Sequence, residues 1–148
     1  MKPIMIDQLK ELNAMYCLII LDKFGEIGFK QMVLANFILR YPANLKKLDS
    51  NVKLKEEEMD NISIKEKFKF HDSWERLTLD SLRILVCKEL AEFKKDLQNK
   101  IIKNKETSKA VRTINQFEEF DEVIERSKII KKIFKNKSDE EVIRIING

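Results

Sequence analysis

Residues 6–41 read IDQLKELNAMYCLIILDKFGEIGFKQMVLANFILRY, and this stretch decides the fold. Its first half carries apolar residues at steps of three and four, which predicts a helix from Ile6 to Phe24. Additional apolar residues at positions 15, 18, 20 and 21 widen the apolar arc beyond one stripe. A helix this apolar is expected either to be central to a core or to have a partner on its second face.

The second half of the stretch predicts a turn and another helix. Gly25 and Gly28 fall within four consecutive residues, which favours a sharp reversal of the chain. A helix is then predicted from Phe29 to Tyr41, and Pro42 ends it or opens the next element, because proline disfavours helix in the residue before it. Residues 42–50, PANLKKLDS, fit a short third helix.

Residues 60–71 have a different pattern, in which apolar and polar residues alternate. This period of two predicts a short strand or one arm of a hairpin. A helical hairpin is the alternative, because lysine and glutamate are good helix formers.

The rest of the chain returns to helical periodicity. Apolar residues from Leu82 to Ile101 step by four, four, three, four and four, which predicts one long helix from Asp72 to Ile101. Another long helix is predicted from Thr107 to Phe134. Ser138 opens a capping box with Glu141, so a short final helix should follow.

The composition narrows the fold class. The chain has 148 residues, of which 43% are hydrophobic and 36% are charged, with 3 glycines and 2 prolines. So few glycines and prolines argue against sandwiches, barrels and glycine-rich phosphate loops. We expect a single domain over residues 1–148 with a mostly α fold. We expect it to open with a helix-turn-helix or winged-helix-like arrangement, and one short β-hairpin is compatible with the pattern.

The expected compartment is the cytoplasm. The first residues contain charges and lack a cleavage site for a signal peptide, and the longest uncharged run, Leu12–Leu21, is about half of what spans a bilayer. No membrane association is predicted. Cys17 and Cys87 both lie in apolar runs, so both are interpreted as buried thiols in a reducing compartment.

The sequence offers no recognisable active site. His71 is the one histidine and is interpreted as a solvated side chain beside a helix start, and two buried cysteines do not complete a zinc site. An acidic group at positions 118, 121, 122 and 125 is interpreted as a solvated helix face rather than a divalent-ion site. Phosphate-binding, dinucleotide and nucleophile-elbow motifs are missing. We therefore predict no enzyme activity, no catalytic residue, no metal and no cofactor.

A basic stripe late in the chain is the candidate nucleic-acid surface. It consists of Lys128, Lys131, Lys132 and Lys135, and a second group of cations lies between residues 94 and 112. Such stripes bind phosphates, although an ordinary solvated helix surface has the same pattern. Because aromatic residues do not interleave with these lysines, non-specific contact with a DNA backbone is the strongest nucleic-acid interpretation.

The order of elements from Leu18 to Asp49 resembles the middle component of bacterial three-component ABC-ATPase systems, which include the Lamassu-type defence modules. The resemblance rests on a leucine-rich pattern carried by Leu21, Asp22, Gly25, Val33, Leu34, Phe37, Ile38 and Leu39. It implies a non-catalytic subunit docked on an SMC-like ATPase, which would bind the ATP itself. The subunit would help to couple DNA sensing to a separate effector.

The sequence therefore leaves three hypotheses about the function of the protein. The first is an accessory subunit that binds a protein partner, motivated by surplus apolar faces on the first two helices, with Phe29, Phe37 and Tyr41 as candidate partner contacts. The second is a winged-helix-like DNA-binding protein. The third is an unrecognised enzyme or a small phage-type inhibitor.

Overall fold

The computed structural model describes residues 6–53, 72–94 and 99–148. The elements in these ranges are mostly helical, which confirms the prediction of a mostly α fold. The helices are α1 Ile6–Phe24, α2 Phe29–Arg40, α3 Ala43–Leu48, α4 Asp72–Cys87, α5 Lys105–Ile114, α6 Asp121–Asn136 and α7 Asp139–Asn147. The strands are β1 Glu26–Gly28, β2 Glu92–Lys94 and β3 Lys100–Ile102, and a 3-10 turn covers Glu118–Phe120. The predicted strand or hairpin at residues 60–71 lies outside the described residues.

Helix α1 is the centre of the fold, as its wide apolar arc predicts. Residues 17–21 are five consecutive buried positions, which is more than one face of a helix. They remain buried because α1 packs against α2, α4, α5 and α6 on different sides. The eight residues Met32–Leu39 of α2 are all buried as well. The surplus of apolar faces that suggested a partner is therefore accounted for by packing within the chain.

An aromatic cluster joins α2 to α4. The Phe37 ring meets Tyr41 with centroids 5.0 Å apart and Trp74 with centroids 5.3 Å apart, both edge to face. Tyr41 and Trp74 also contact each other at 5.8 Å. Edge-to-face geometry is the favoured arrangement for such rings, so the cluster fixes how the start of α4 sits on the end of α2.

A three-stranded antiparallel sheet has the order β1-β3-β2. Ile101 of β3 lies opposite Ile27 of β1 and opposite Phe93 of β2. Ile27 and Ile101 are buried, whereas Phe93 is exposed. The sheet therefore places one apolar pair against the helices and leaves its β2 edge in solvent.

The prediction of one helix from Asp72 to Ile101 is wrong beyond Cys87. Glu89 has a φ of 60°, and the backbone N–H of Leu90 donates to the carbonyl of Leu85 at 2.8 Å, which ends α4. A left-handed residue with such a bond is a common helix end. Residues beyond it, including Phe93 and Ile101, form the strands, so their four-residue spacing was coincidental.

The predicted helix from Thr107 to Phe134 is two helices. Helix α5 starts earlier, because the Asn104 side chain accepts hydrogen bonds from the backbone N–H groups of Glu106 and Thr107. It ends at Ile114, and a turn leads into α6. The final helix begins as predicted, with the Ser138 hydroxyl accepting from the backbone N–H of Glu141.

Candidate docking surfaces

The predicted partner residues do not form one surface. Phe37 is only 2% exposed and lies inside the aromatic cluster, so it is not a contact residue in the folded chain, contrary to the prediction. Phe29 and Tyr41 are half-buried and pack against the core. Phe29 also lines two surface grooves.

The basic stripe lies on one exposed face of α6, but the distribution of charge along this helix also matches what the helix dipole favours. Lys128 pairs with Glu125 at 3.0 Å. For Lys131, Lys132 and Lys135, no carboxylate of the described residues lies within ion-pair distance. Acidic residues fill the first turn of α6 and a lysine the last, which is the arrangement that the helix dipole favours.

The acidic group on α6 does not assemble into a metal site. Glu122 forms an ion pair with Arg126 at 3.3 Å, and Glu125 forms one with Lys128. Across residues 6–53, 72–94 and 99–148, no group of three His, Cys, Asp or Glu side chains is placed to hold a metal ion. The predicted solvated histidine, His71, lies outside the described residues. In the same ranges no helix is long and apolar enough to cross a bilayer.

The two cysteines have opposite environments. Cys17 is fully buried, and this burial raises the pKa of its thiol to about 12, against a smaller lowering by Arg40. Cys87 is exposed, so the prediction that both thiols are buried is wrong for Cys87. The reason is that α4 ends at Cys87, and Cys87 lies with Val86 on the exposed side of the last turn instead of within a continuing core helix.

A polar network inside the bundle sets the rotation of α4. The Asn13 amide of α1 donates to the Ser81 hydroxyl of α4 at 2.8 Å, and the Arg40 guanidinium of α2 donates to the Asn13 carbonyl oxygen at 3.3 Å. Arg40 also lies over the Tyr16 ring, 5.8 Å from its centre. Because buried polar groups need partners, this network allows only one rotation of α4 and fixes which residues face outward.

An apolar groove of about 490 Å³ opens between α1, α4 and α5. Most of its wall is aliphatic, and Glu11, Lys88 and Thr113 are the polar residues in its lining. The aliphatic lining is Ala14, Met15, Leu18, Ile84, Leu85, Leu90, Ala110 and Ile114. Sequence reasoning missed this groove, because its walls come from three helices whose relative placement no local pattern gives.

The outer face of α4 carries a second surface. Arg76, Leu79 and Arg83 line a groove of about 460 Å³ together with Phe29 and Glu75. Leu79 is 39% exposed, so this groove has an aliphatic side chain between two arginines. Sequence reasoning missed this face too, although the i, i+3, i+7 spacing of these residues was available as a signal.

Comparison of the chain with protein-family models, with curated proteins and with solved structures gives no match. The function is therefore argued from the surfaces of the chain itself.

Proposed function

We propose that this protein is a non-catalytic accessory subunit that docks on a larger protein partner. The apolar groove between α1, α4 and α5 carries the proposal. Eight aliphatic residues line it, while the described residues around it supply no set of converging polar groups such as a small-molecule site uses. A groove between helices with aliphatic walls suits the apolar anchors of another protein.

Exposed apolar residues close in sequence to the groove support the same proposal. Leu12 follows the lining residue Glu11 and is 37% exposed, and Phe117 comes three residues after Ile114 and is 53% exposed. Exposed apolar surface is typical of a face that a partner covers, and these two side chains lie within three residues of the groove lining in the sequence. The resemblance to the middle component of three-component ABC-ATPase systems suggests an SMC-like ATPase as the partner, in an antiphage defence complex.

A tagged pull-down from the native host, with a nuclease-treated control, tests the proposal. We expect stoichiometric recovery of a large ATPase subunit that survives nuclease treatment. Ile84→Glu places a charge in the groove and should abolish this recovery, because an unpaired charge is costly to bury at an interface. Ile145→Glu is the matched control: Ile145 is also half-buried, but it lies on α7 and does not line the groove.

Two outcomes would count against the proposed docking role. One is recovery of the partner by Ile84→Glu at the level of the unmodified chain, which would exclude the groove. The other is recovery of nothing but nucleic acid, lost on nuclease treatment. Both variants are first compared by circular dichroism, so that a loss of binding is not a loss of fold.

Binding to a DNA backbone is the second candidate function. The element order α1-β1-α2, then α4-β2-β3, with the strand order β1-β3-β2, is typical of winged-helix domains and favours this candidate. A helix-turn-helix joins its two helices by a short turn, however, and here α3 and residues 49–71 lie between α2 and α4. Lys131, Lys132 and Lys135 of α6, which have no carboxylate of the described residues within ion-pair distance, supply the phosphate-binding charge.

The salt dependence of binding distinguishes this candidate. If Lys131, Lys132 and Lys135 contact phosphates, replacing all three by glutamine should lower the slope of log K against log salt by about 2.7, since each phosphate contact contributes about 0.9. No binding to duplex DNA at low salt would eliminate the candidate.

A further inference from the structure

An exposed stripe runs along the outer face of α4. Arg76, Leu79, Arg83 and Val86 follow one another at steps of three, four and three residues, which is the spacing of a seam between two paired helices. All four side chains are exposed, and the two aliphatic ones are each 39% exposed. The stripe is about 15 Å long, at 1.5 Å of rise per residue.

The two arginines of the stripe form few ion pairs with the described residues. Arg76 has no carboxylate of the described residues within ion-pair distance. The Arg83 side chain is 68% exposed, and its one ion pair with a described residue is a long contact of 3.7 Å to Asp80, which Lys10 shares at 3.5 Å. The guanidinium groups can therefore pair with an incoming carboxylate without losing a strong bond.

The composition of the stripe favours a protein over a nucleic acid. Each arginine is followed by an aliphatic residue, whereas a phosphate-binding face would present cations in succession. Glu75 lies in the same groove as Arg76, and Asp80 lies against Arg83, so the face is not uniformly cationic as a phosphate-binding face would be. Arginine is enriched in protein interfaces relative to the rest of the protein surface.

The opposite face of α4 holds the stripe in place. Thr78, Ser81, Leu82 and Leu85 are buried, and Ser81 accepts the hydrogen bond from Asn13. Because α4 cannot rotate without breaking this packing, the stripe is presented ready for binding. Such preorganisation reduces the entropy cost of docking.

We propose that this stripe docks an amphipathic helix of a protein partner in which acidic and aliphatic residues alternate at steps of three and four. The acidic residues pair with Arg76 and Arg83, and the aliphatic ones cover Leu79 and Val86. This inference deepens the proposed docking role, on which it rests, by giving the chemistry of a contact on a face separate from the apolar groove.

The test uses the full chain and a labelled synthetic peptide, with binding followed by fluorescence anisotropy. The peptide is a stabilised helix that carries Glu, Leu, Glu and Val at the spacing of the stripe, and a second peptide has Lys in place of Glu. We expect the acidic peptide to bind and the lysine peptide not to bind. The double variant Arg76→Glu, Arg83→Glu should bind the acidic peptide at least about tenfold more weakly, which corresponds to about 1.4 kcal/mol. It should also gain the lysine peptide, because its two glutamates can pair with lysine.

The matched control is Arg112→Glu, Arg144→Glu. It changes the net charge equally through two exposed arginines on α5 and α7. This control should bind the acidic peptide as the unmodified chain does. An equal loss in both double variants would mean a general charge effect and would overturn the inference, as would duplex DNA competing with the peptide for the stripe.

The groove variant separates this inference from the proposed function. Ile84→Glu should lose the partner in the pull-down and still bind the acidic peptide. If the acidic peptide does not bind and Arg76→Glu, Arg83→Glu still recovers the partner, the stripe is excluded while the proposed docking role stands.

Discussion

Replacing Phe37 tests whether this residue belongs to the core or to a partner surface. In the folded chain its ring is 2% exposed and makes edge-to-face contacts with Tyr41 and Trp74. Phe37→Leu keeps an apolar side chain in the core but removes the aromatic contacts with Tyr41 and Trp74. We therefore expect a loss of stability without a loss of partner binding.

The magnitude follows from the two contacts. An edge-to-face aromatic pair contributes about 0.5–1.5 kcal/mol beyond its buried area, so two pairs amount to about 1–3 kcal/mol. The smaller leucine side chain also leaves part of the volume unfilled, which adds to the loss. Phe37→Ala would also leave a cavity and cost about 3–5 kcal/mol, which is a large share of the total stability of an ordinary domain. The leucine variant is therefore the more useful one.

Urea unfolding followed by tryptophan fluorescence measures the effect. Trp74 is the one tryptophan of the chain and touches Phe37, so the signal reports on the site itself. The midpoint should fall while the slope stays constant. Phe93→Leu is the control, because this ring is 45% exposed and its loss should change stability by less than about 0.5 kcal/mol. Equal midpoints for the Phe37→Leu and Phe93→Leu variants would refute the core placement of Phe37.

Three further predictions concern single side chains. A thiol reagent should modify Cys87 at once in the native chain and Cys17 only after unfolding, because the Cys17 thiol is buried and has a pKa of about 12. Cys87→Ser should remove the fast phase of modification, and a fast phase that remains would contradict this prediction. Asn104→Ala removes the cap of α5 and should cost about 1 kcal/mol of unfolding free energy, measured by urea titration, whereas an unchanged midpoint would mean that the cap is not needed. Asn36→Leu should raise the midpoint of thermal unfolding, because the buried Asn36 amide has no hydrogen-bond partner among the described residues. A buried polar group without a partner costs about 1–3 kcal/mol. A lower midpoint would show that the amide has a hydrogen-bond partner.

Local patterns predicted the helices well where one helix covers one pattern. The limits of α1 agree with the prediction, and α2 ends one residue earlier than predicted. The Ser138 cap was also visible in the sequence, because capping depends on residues three positions apart.

Long-range contacts account for what the sequence did not reveal. Phe93 and Ile101 continue the spacing of α4, and only the left-handed Glu89 and the pairing of β3 with β1 place them in strands. That pairing brings the Lys100 ammonium within 3.3 Å of the Glu26 carboxylate, 74 positions away, which no periodicity within a window can show. The same limit applies to the apolar groove and to the burial of Phe37, since both depend on how separate helices meet.

The connection between α1 and α2 has consequences for changes in chain length. Helix α1 ends at Phe24 and α2 begins at Phe29, and β1 occupies nearly all of the connection between them. One inserted residue would either move Ile27 to the other face of the sheet or turn α2 by about 100° about its axis. In the second case, the core residues of α2 would meet the wrong neighbours. Surface turns such as residues 115–117 can lengthen at little cost, but this connection cannot, so its length is as much a determinant of the fold as the residues it contains.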